Sequence, residues 1–184
     1  MTAQNIIKHS PFQELLIVDI GGTVASGYAG KLFADYGARV VNLEPPQGFS
    51  TRRIEPLLNN GNSAIHAYLH ANKESVCCDE PLTSHPAIAA ADLVLLDITT
   101  LPPSVSVDDF DANVCAISWY GLNGPYADFN GSDASIYALT GLMQGVGESQ
   151  GPPIIPTGYQ TQIVGGLSAF NGAAGYMLGQ HLKG

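Results

Sequence analysis

The sequence predicts an α/β fold, an open, doubly wound and mostly parallel sheet with flanking helices and a long C-terminal helix rich in Gly and Ala. Three observations predict it. The chain opens with a β-loop-α-β pattern, its strand candidates are near-continuous runs of Val, Ile and Leu, and five such candidates alternate with helical or loop segments in the first 120 residues. Unbroken apolar runs are what a strand needs when helices cover both faces of its sheet.

Taken in order, residues 15–20 form an apolar strand ending in Gly21-Gly22, residues 25–36 have helical spacing, and Gly37 is a natural helix stop. Residues 39–43 give a second strand, 62–71 a helix, 75–78 a short strand, 87–91 a helical turn, and 93–98 and 114–119 two further strands. Past residue 120 the texture changes: 121–131 is turn-rich, 132–143 helical, 145–158 a Gly/Pro loop and 163–182 a long helix. Gly165, Gly166, Ala169, Gly172, Ala173 and Gly175 make that helix rich in small residues. Each Gly costs about 1 kcal/mol against Ala in a helix, so close packing on another surface, in this chain or a partner, is expected to offset the loss. The whole chain, 1–184, reads as one domain, with an α/β core to residue 120 and a helical extension over 121–184.

Composition agrees with one folded core, since 45% of the 184 residues are hydrophobic and 12% charged. The net charge of −9, sixteen acids against seven bases, opposes binding to nucleic acid or an anionic membrane. No apolar run approaches the roughly 18 residues of a spanning helix, and the N-terminus lacks a signal-peptide pattern, so a cytoplasmic location is expected. Three cysteines, two of them adjacent, suit a reducing compartment better than a disulfide framework. Residues 1–73 hold six bases, whereas 74–184 hold only Lys183. A phosphate site must therefore draw its side-chain cations from about residues 31–73.

Asp19-Ile-Gly-Gly-Thr-Val-Ala-Ser-Gly27 joins the first strand to the first helix, where backbone N–H groups and the helix dipole favour anions. It matches neither the dinucleotide fingerprint nor a P-loop, although Glu44 stands where an acid would grip an NAD ribose. A tight turn needing small residues explains the glycines equally well. His66 and His70 lie four apart on one helical face, with no third ligand evident, so no metal site is expected. Cys77 and Cys78 point to opposite faces of a strand and read as core thiols rather than a redox pair. Asp108, Asp109 and Asp111 read as a solvated turn, and no Gly-x-Ser-x-Gly elbow is present.

One resemblance goes further than these local readings. Residues 17–46, from Ile17-Val-Asp-Ile-Gly-Gly-Thr to Asn42-Leu-Glu-Pro-Pro46, resemble the opening of the family III CoA-transferases, the group containing formyl-CoA and carnitine CoA-transferases. Thr51-Arg52, Asn72-Lys73-Glu-Ser75, Ala91-Asp-Leu-Val-Leu-Leu96 and Ile117-Ser-Trp-Tyr-Gly-Leu-Asn-Gly-Pro-Tyr-Ala-Asp128 resemble later landmarks in the same order. Gly131-x-Asp133, Thr140-Gly-Leu-Met143, Gly147-Glu148 and Gly151-Pro-Pro153 continue the series. The resemblance implies a Rossmann-like domain that binds CoA at the carboxyl ends of its strands, usually in an interlocked homodimer. It also implies covalent catalysis: an Asp carboxylate attacks an acyl-CoA thioester, and CoA thiolate opens the resulting mixed anhydride to an enzyme-bound thioester.

Alignment on Gly166-Leu167 puts Gln162 at the position of that Asp, and no Asp follows Asp133. A neutral amide cannot form the anhydride. The His of the family's racemase branch falls at Ser132. On the CoA side the resemblance implies Val24 and Ala25 in the first loop, with Arg52, Asn72 and Lys73 toward the phosphates. Asp97 replaces a neutral Asn, and the Arg of the same segment is lost; the added charge is expected to oppose a phosphate-rich ligand by about 1 kcal/mol. The smaller second domain of typical members has no counterpart in this sequence. The expectation is a metal-free protein of acyl-CoA metabolism that binds CoA or acyl-CoA and is inactive alone. It would pair as a homodimer or with a partner CoA-transferase subunit; the alternative is a non-catalytic assembly or binding module.

Overall fold

Five strands form one sheet in the order β3-β2-β1-β4-β5, with every neighbouring pair parallel. The computed structural model describes residues 10–79, 81–148 and 150–183. The strands are β1 (Leu16–Asp19), β2 (Arg39–Glu44), β3 (Glu74–Cys77), β4 (Leu93–Asp97) and β5 (Val114–Ile117). Helices α1 (Val24–Asp35), α2 (Ala64–Leu69) and α3 (Pro86–Ala89) lie in the crossovers, and α4 (Asp133–Leu139) and α5 (Gln160–Lys183) follow the sheet. Among the described residues no helix is long and apolar enough to cross a membrane.

Strand periodicity gives each face of the sheet its own core. Ile17, Val40, Leu93 and Leu95 are buried with Phe33 of α1 and Ala173 of α5 on one face. Val18, Leu43, Val94 and Leu96 are buried with Ile88 of α3 and Phe110 on the other. Adjacent residues of one strand therefore serve opposite cores, which is why the runs are apolar throughout. An aromatic group holds α1 to α5, with Phe33 and Phe170 ring centroids 4.8 Å apart and Phe12 5.3 Å from Phe33. Such pairs contribute about 0.5–1.5 kcal/mol beyond their buried area.

Local chemistry sets the helix limits. Thr23 caps α1 in a reciprocal box with Ser26. Ser63 caps α2 by accepting from His66 N–H at 3.1 Å, so this helix begins one residue past its cap and is shorter than the 62–71 expected. The helix expected over 132–143 stops at Leu139, because Gly141 takes a left-handed φ of 74° and the chain continues as the 3₁₀ turn Leu142–Gly145. Strand β5 ends at Ile117 rather than 119. Helix α5 starts three residues earlier than expected, which places Gln162 inside its first turn. Cys77 is exposed, correcting its reading as a core thiol, while Cys78 is buried.

The small residues of α5 have two different roles. A Cβ at Gly166 would run into the carbonyl oxygen of Ala25, so α5 reaches the backbone of α1 at that glycine, whereas Gly165, Gly172 and Gly175 meet nothing within 4 Å. Close packing thus accounts for Gly166, Ala169 and the buried Ala173 but not for Gly165, Gly172 and Gly175. Gly166→Ala is expected to destabilise the fold by about 1–3 kcal/mol through overpacking. Gly175→Ala should stabilise it by up to about 1 kcal/mol through helix propensity. Urea denaturation of the two variants checks the pair, and equal shifts of the same sign would refute the assignment.

Candidate functional site

Strand order dictates where a ligand can enter. From β1 the chain proceeds to β2 and β3 on one side and returns to β4 and β5 on the other, so the loops leaving β1 and β4 diverge at the carboxyl ends of the strands. A crevice of about 480 Å³ opens there. Ile20, Leu43, Pro45, Leu82 and Pro102 are among its apolar walls, Gly21 and Gly22 come from the loop after β1, and Arg53 and Asp79 are its charged lining. Gly22 has a φ of 63° and its α-carbon faces the Phe49 ring, so a side chain there would be strained and would collide with Phe49.

Several N–H groups at the start of α1 beside this crevice are engaged from within. Gly21 N–H donates to Asp19 Oδ1 at 3.0 Å, and Thr23 N–H donates to Ser26 Oγ at 3.2 Å. Thr23 Oγ1 donates to Asp97 Oδ2 at 3.0 Å, while Asp97 Oδ1 accepts from Thr99 N–H at 3.0 Å and Thr99 Oγ1 at 2.6 Å. Asp97 therefore binds this loop together. It also lines a separate cavity of about 40 Å³ with Ala25, Trp119 and Gln162.

Below the loop lies a buried polar network. Lys73 and Asp19 have fully buried side chains; the Lys73 ammonium lies 3.4 Å from Asp19 Oδ2 and donates to the Gly27 carbonyl at 2.9 Å. A Cβ at Gly30 would come within 2.7 Å of that ammonium, so the glycine makes room for it. Burial lowers the Lys73 pKa, and Asp19 works against the shift. Asn42 Nδ2 lies 2.9 Å from His70 Nδ1, Thr51 Oγ1 3.3 Å from His70 Nε2, and Thr51 Oγ1 2.9 Å from His66 Nδ1. With Asn42 donating, His70 carries its proton on Nε2 and donates to Thr51, whose hydroxyl proton goes to His66. Burial, then the Lys73 and His66 charges, push His70 down to about 2; burial and the Arg52 charge lower His66. Among the described residues no cluster of three or more His, Cys, Asp or Glu could hold a metal ion.

Glu44 is held by Arg52 at 2.6 Å from Nε and 2.5 Å from Nη2, by the Ser75 hydroxyl and by Phe49 N–H at 2.9 Å. Burial raises its pKa, but the Arg52, Ser75 and Phe49 donors outweigh that and bring it to about 2. Neither Glu44 nor Arg52 is thus presented to the crevice. Asn72, at a left-handed φ of 64°, donates to Asp35 Oδ1 at 3.0 Å and ties the start of β3 to the end of α1.

At the other end of the molecule's polar seam, Asp133 joins α4 to α5. Its Oδ1 accepts from Thr161 N–H at 3.1 Å, the Thr161 hydroxyl and Gln162 N–H at 3.4 Å, and its Oδ2 accepts from the Gln162 side-chain amide at 2.9 Å. A carboxylate from one helix caps the next. Gln162 acts in this arrangement as a donor, a role an ionised carboxylate at that position could not fill.

The structure distributes the residues singled out from sequence. Ala25, Asp97 and Gln162 share the small cavity; Val24 lines an apolar groove with Tyr68 and Ile163; Arg52, Asn72 and Lys73 are engaged in structural pairs. None of them lines the crevice. The residue that sequence reasoning missed is Arg53, which lines it and donates from Nη1 to the Gln47 carbonyl at 2.9 Å. Adjacent arginines carry no signal of which one a distant Glu will take.

Two consequences are measurable. Lys73→Met should cost about 3–5 kcal/mol in urea denaturation, because it leaves the Asp19 carboxylate buried without its partner; a cost below about 1 kcal/mol would contradict the pairing. Stability should also fall with acid in two stages. His70 is neutral in the folded state, so below about pH 6.5 the unfolded chain takes up a proton that the folded chain does not, at about 1.4 kcal/mol per pH unit, and the lowered His66 acts in the same direction. Glu44 adds its loss as the pH falls from 4.5 toward about 2. His70→Gln should flatten the slope between pH 6.5 and 4.5, and an unchanged slope would exclude this histidine as its source.

The chain is similar to known proteins over most of its length. The family model of CoA-transferase family III matches residues 12–92 and 114–184. Succinate–glutarate CoA-transferase of Agrobacterium fabrum is 27% identical over 167 residues, covering 80% of this chain and 42% of that protein. Acetyl-CoA:oxalate CoA-transferase of Acetobacter aceti is 26% identical over 180 residues, covering 89% of this chain and 46% of that one. A CAIB/BAIF family protein from Brucella suis shares the fold with a TM-score of 0.79 at 24% identity, over 95% of this chain and 50% of its own. The chain thus spans less than half the length of these curated relatives. With the family model covering most of its length, this chain belongs to CoA-transferase family III.

Proposed function

We propose that this chain binds CoA or an acyl-CoA thioester at the carboxyl ends of its strands and does not transfer CoA on its own. The observation that carries the second half is Gln162. Transfer by the family's route needs a carboxylate to attack the thioester carbonyl, and the amide here donates to Asp133 at 2.9 Å instead. Asp133 cannot readily take over, because its two oxygens accept from Thr161 and Gln162 and attack would give up those bonds.

In this reading the adenine end lies against Ile20, Leu43 and Leu82 in the 480 Å³ crevice, with Arg53 toward the phosphates. The pantetheine arm runs past Val24 and Ala25 toward Asp97 and Gln162. Arg52, Asn72 and Lys73 contribute indirectly, by holding the loops that form the walls. The chain works in the cytoplasm and pairs with a second copy or with a partner CoA-transferase subunit. Exposed Val164, Leu178 and Leu182 on α5 support a partner, and they also favour the second reading, an assembly module with a vestigial crevice.

Calorimetric titration with CoA and acetyl-CoA separates the two readings. Saturable micromolar binding is expected, and no heat at millimolar ligand would leave the assembly module. Incubation with acetyl-CoA followed by mass spectrometry should show no acyl-enzyme, and Gln162→Asp alone should not restore transfer. Acylation of the purified chain would overturn the proposed inactivity.

A further inference from the structure

Charge pairing in this molecule narrows what the crevice can recognise. Lys31, Arg39, Arg52 and Lys73 each lie within 4.0 Å of a carboxylate, of Asp35, Glu74, Glu44 and Asp19 respectively. Arg53 is different: its hydrogen bond goes to a backbone carbonyl, and its side chain is exposed at the crevice wall. Beyond residue 73 the sequence offers no base before Lys183. The other charged lining residue, Asp79, is acidic.

Part of the backbone at the start of α1 is already engaged. Gly21 and Thr23 N–H groups donate to Asp19 and Ser26, and the Asp97 carboxylate accepts from Thr23 Oγ1 beside them. The Asp97 charge works there against a negative ligand group. CoA carries a diphosphate and, separately, a 3′-phosphate monoester with a charge of about −1.5 to −2 at neutral pH. One guanidinium can pair with one of these at a time.

We infer that Arg53 is the charge contact through which the crevice holds its ligand, that it takes the diphosphate, and that the 3′-phosphate of CoA is not read. The inference rests on the proposed CoA reading and adds a specificity to it: CoA and 3′-dephospho-CoA are equivalent ligands. The apolar walls supply the remainder of the affinity by enclosing the adenine ring.

The test is a paired titration of the purified chain with CoA and 3′-dephospho-CoA. Dissociation constants within about threefold of each other are expected, as is weakening of both by about tenfold in Arg53→Ala, the loss typical of one charged hydrogen-bonding partner. Arg53→Lys should recover part of the loss, and thermal melting should show Arg53→Ala folded, because its side chain holds only the Gln47 carbonyl. Tighter binding of CoA by about tenfold or more would overturn the inference while leaving the CoA reading intact. Equal affinities with no effect of Arg53→Ala would overturn the role of Arg53. Failure of both ligands to bind at millimolar concentration would overturn the CoA reading and this inference with it.

Discussion

The ion pair between Lys73 and Asp19 holds the half of the molecule around the first loop in shape. Asp19 ends β1, and Lys73 precedes β3 two strands away, so their contact fixes the first loop against the second crossover. Each partner alone would be a buried charge; together, with Gly27 accepting and Gly21 donating, they are satisfied. The glycine at position 30 makes room for that ammonium, and its charge adds to burial in keeping His70 neutral. The pair therefore explains residues that otherwise look like unrelated features of α1 and α2.

A second constraint runs in parallel. Lys31, Arg39, Arg52 and Lys73 are taken by carboxylates within the fold, and the crevice is left with apolar walls, Arg53 and Asp79. In a chain with sixteen acids and seven bases, structural pairing leaves few cations for recognition. What looks in the sequence like a basic segment suited to phosphate is, in three dimensions, mainly a set of struts. Thr51-Arg52-Arg53 shows this within three residues: the hydroxyl joins the histidine network, the first guanidinium takes Glu44, and the second faces the crevice.

The fold was largely legible in the sequence because its signals are local. The strands β1 and β4 are apolar runs up to their final Asp, β2 is interrupted only by the buried Asn42, and Gly37 stops α1. Helix limits were less legible where a single cap or a left-handed glycine decided them, as at Ser63 and Gly141. The site was least legible, since its content is a matching of charges over long separations: Lys73 finds Asp19 across 54 residues, and Gln162 finds Asp133 across 29. Periodicity and motif spacing carry no information about such matches. The resemblance to the family drew attention to positions 97 and 162, but not to the partners that hold them, Thr23 and Thr99 for the first and Asp133 for the second.

The clip between Asp133 and Gln162 bears on how this lineage can change. A carboxylic acid at position 162 would stand at hydrogen-bonding distance from Asp133, and two such groups cannot both be ionised cheaply so close together. They would share a proton, and their titration would belong to the couple rather than to either member. Substituting one residue therefore alters the chemistry of the other, even though they lie on different helices. Positions 133 and 162 therefore form a single electrostatic unit, joined across two helices by their side-chain hydrogen bond.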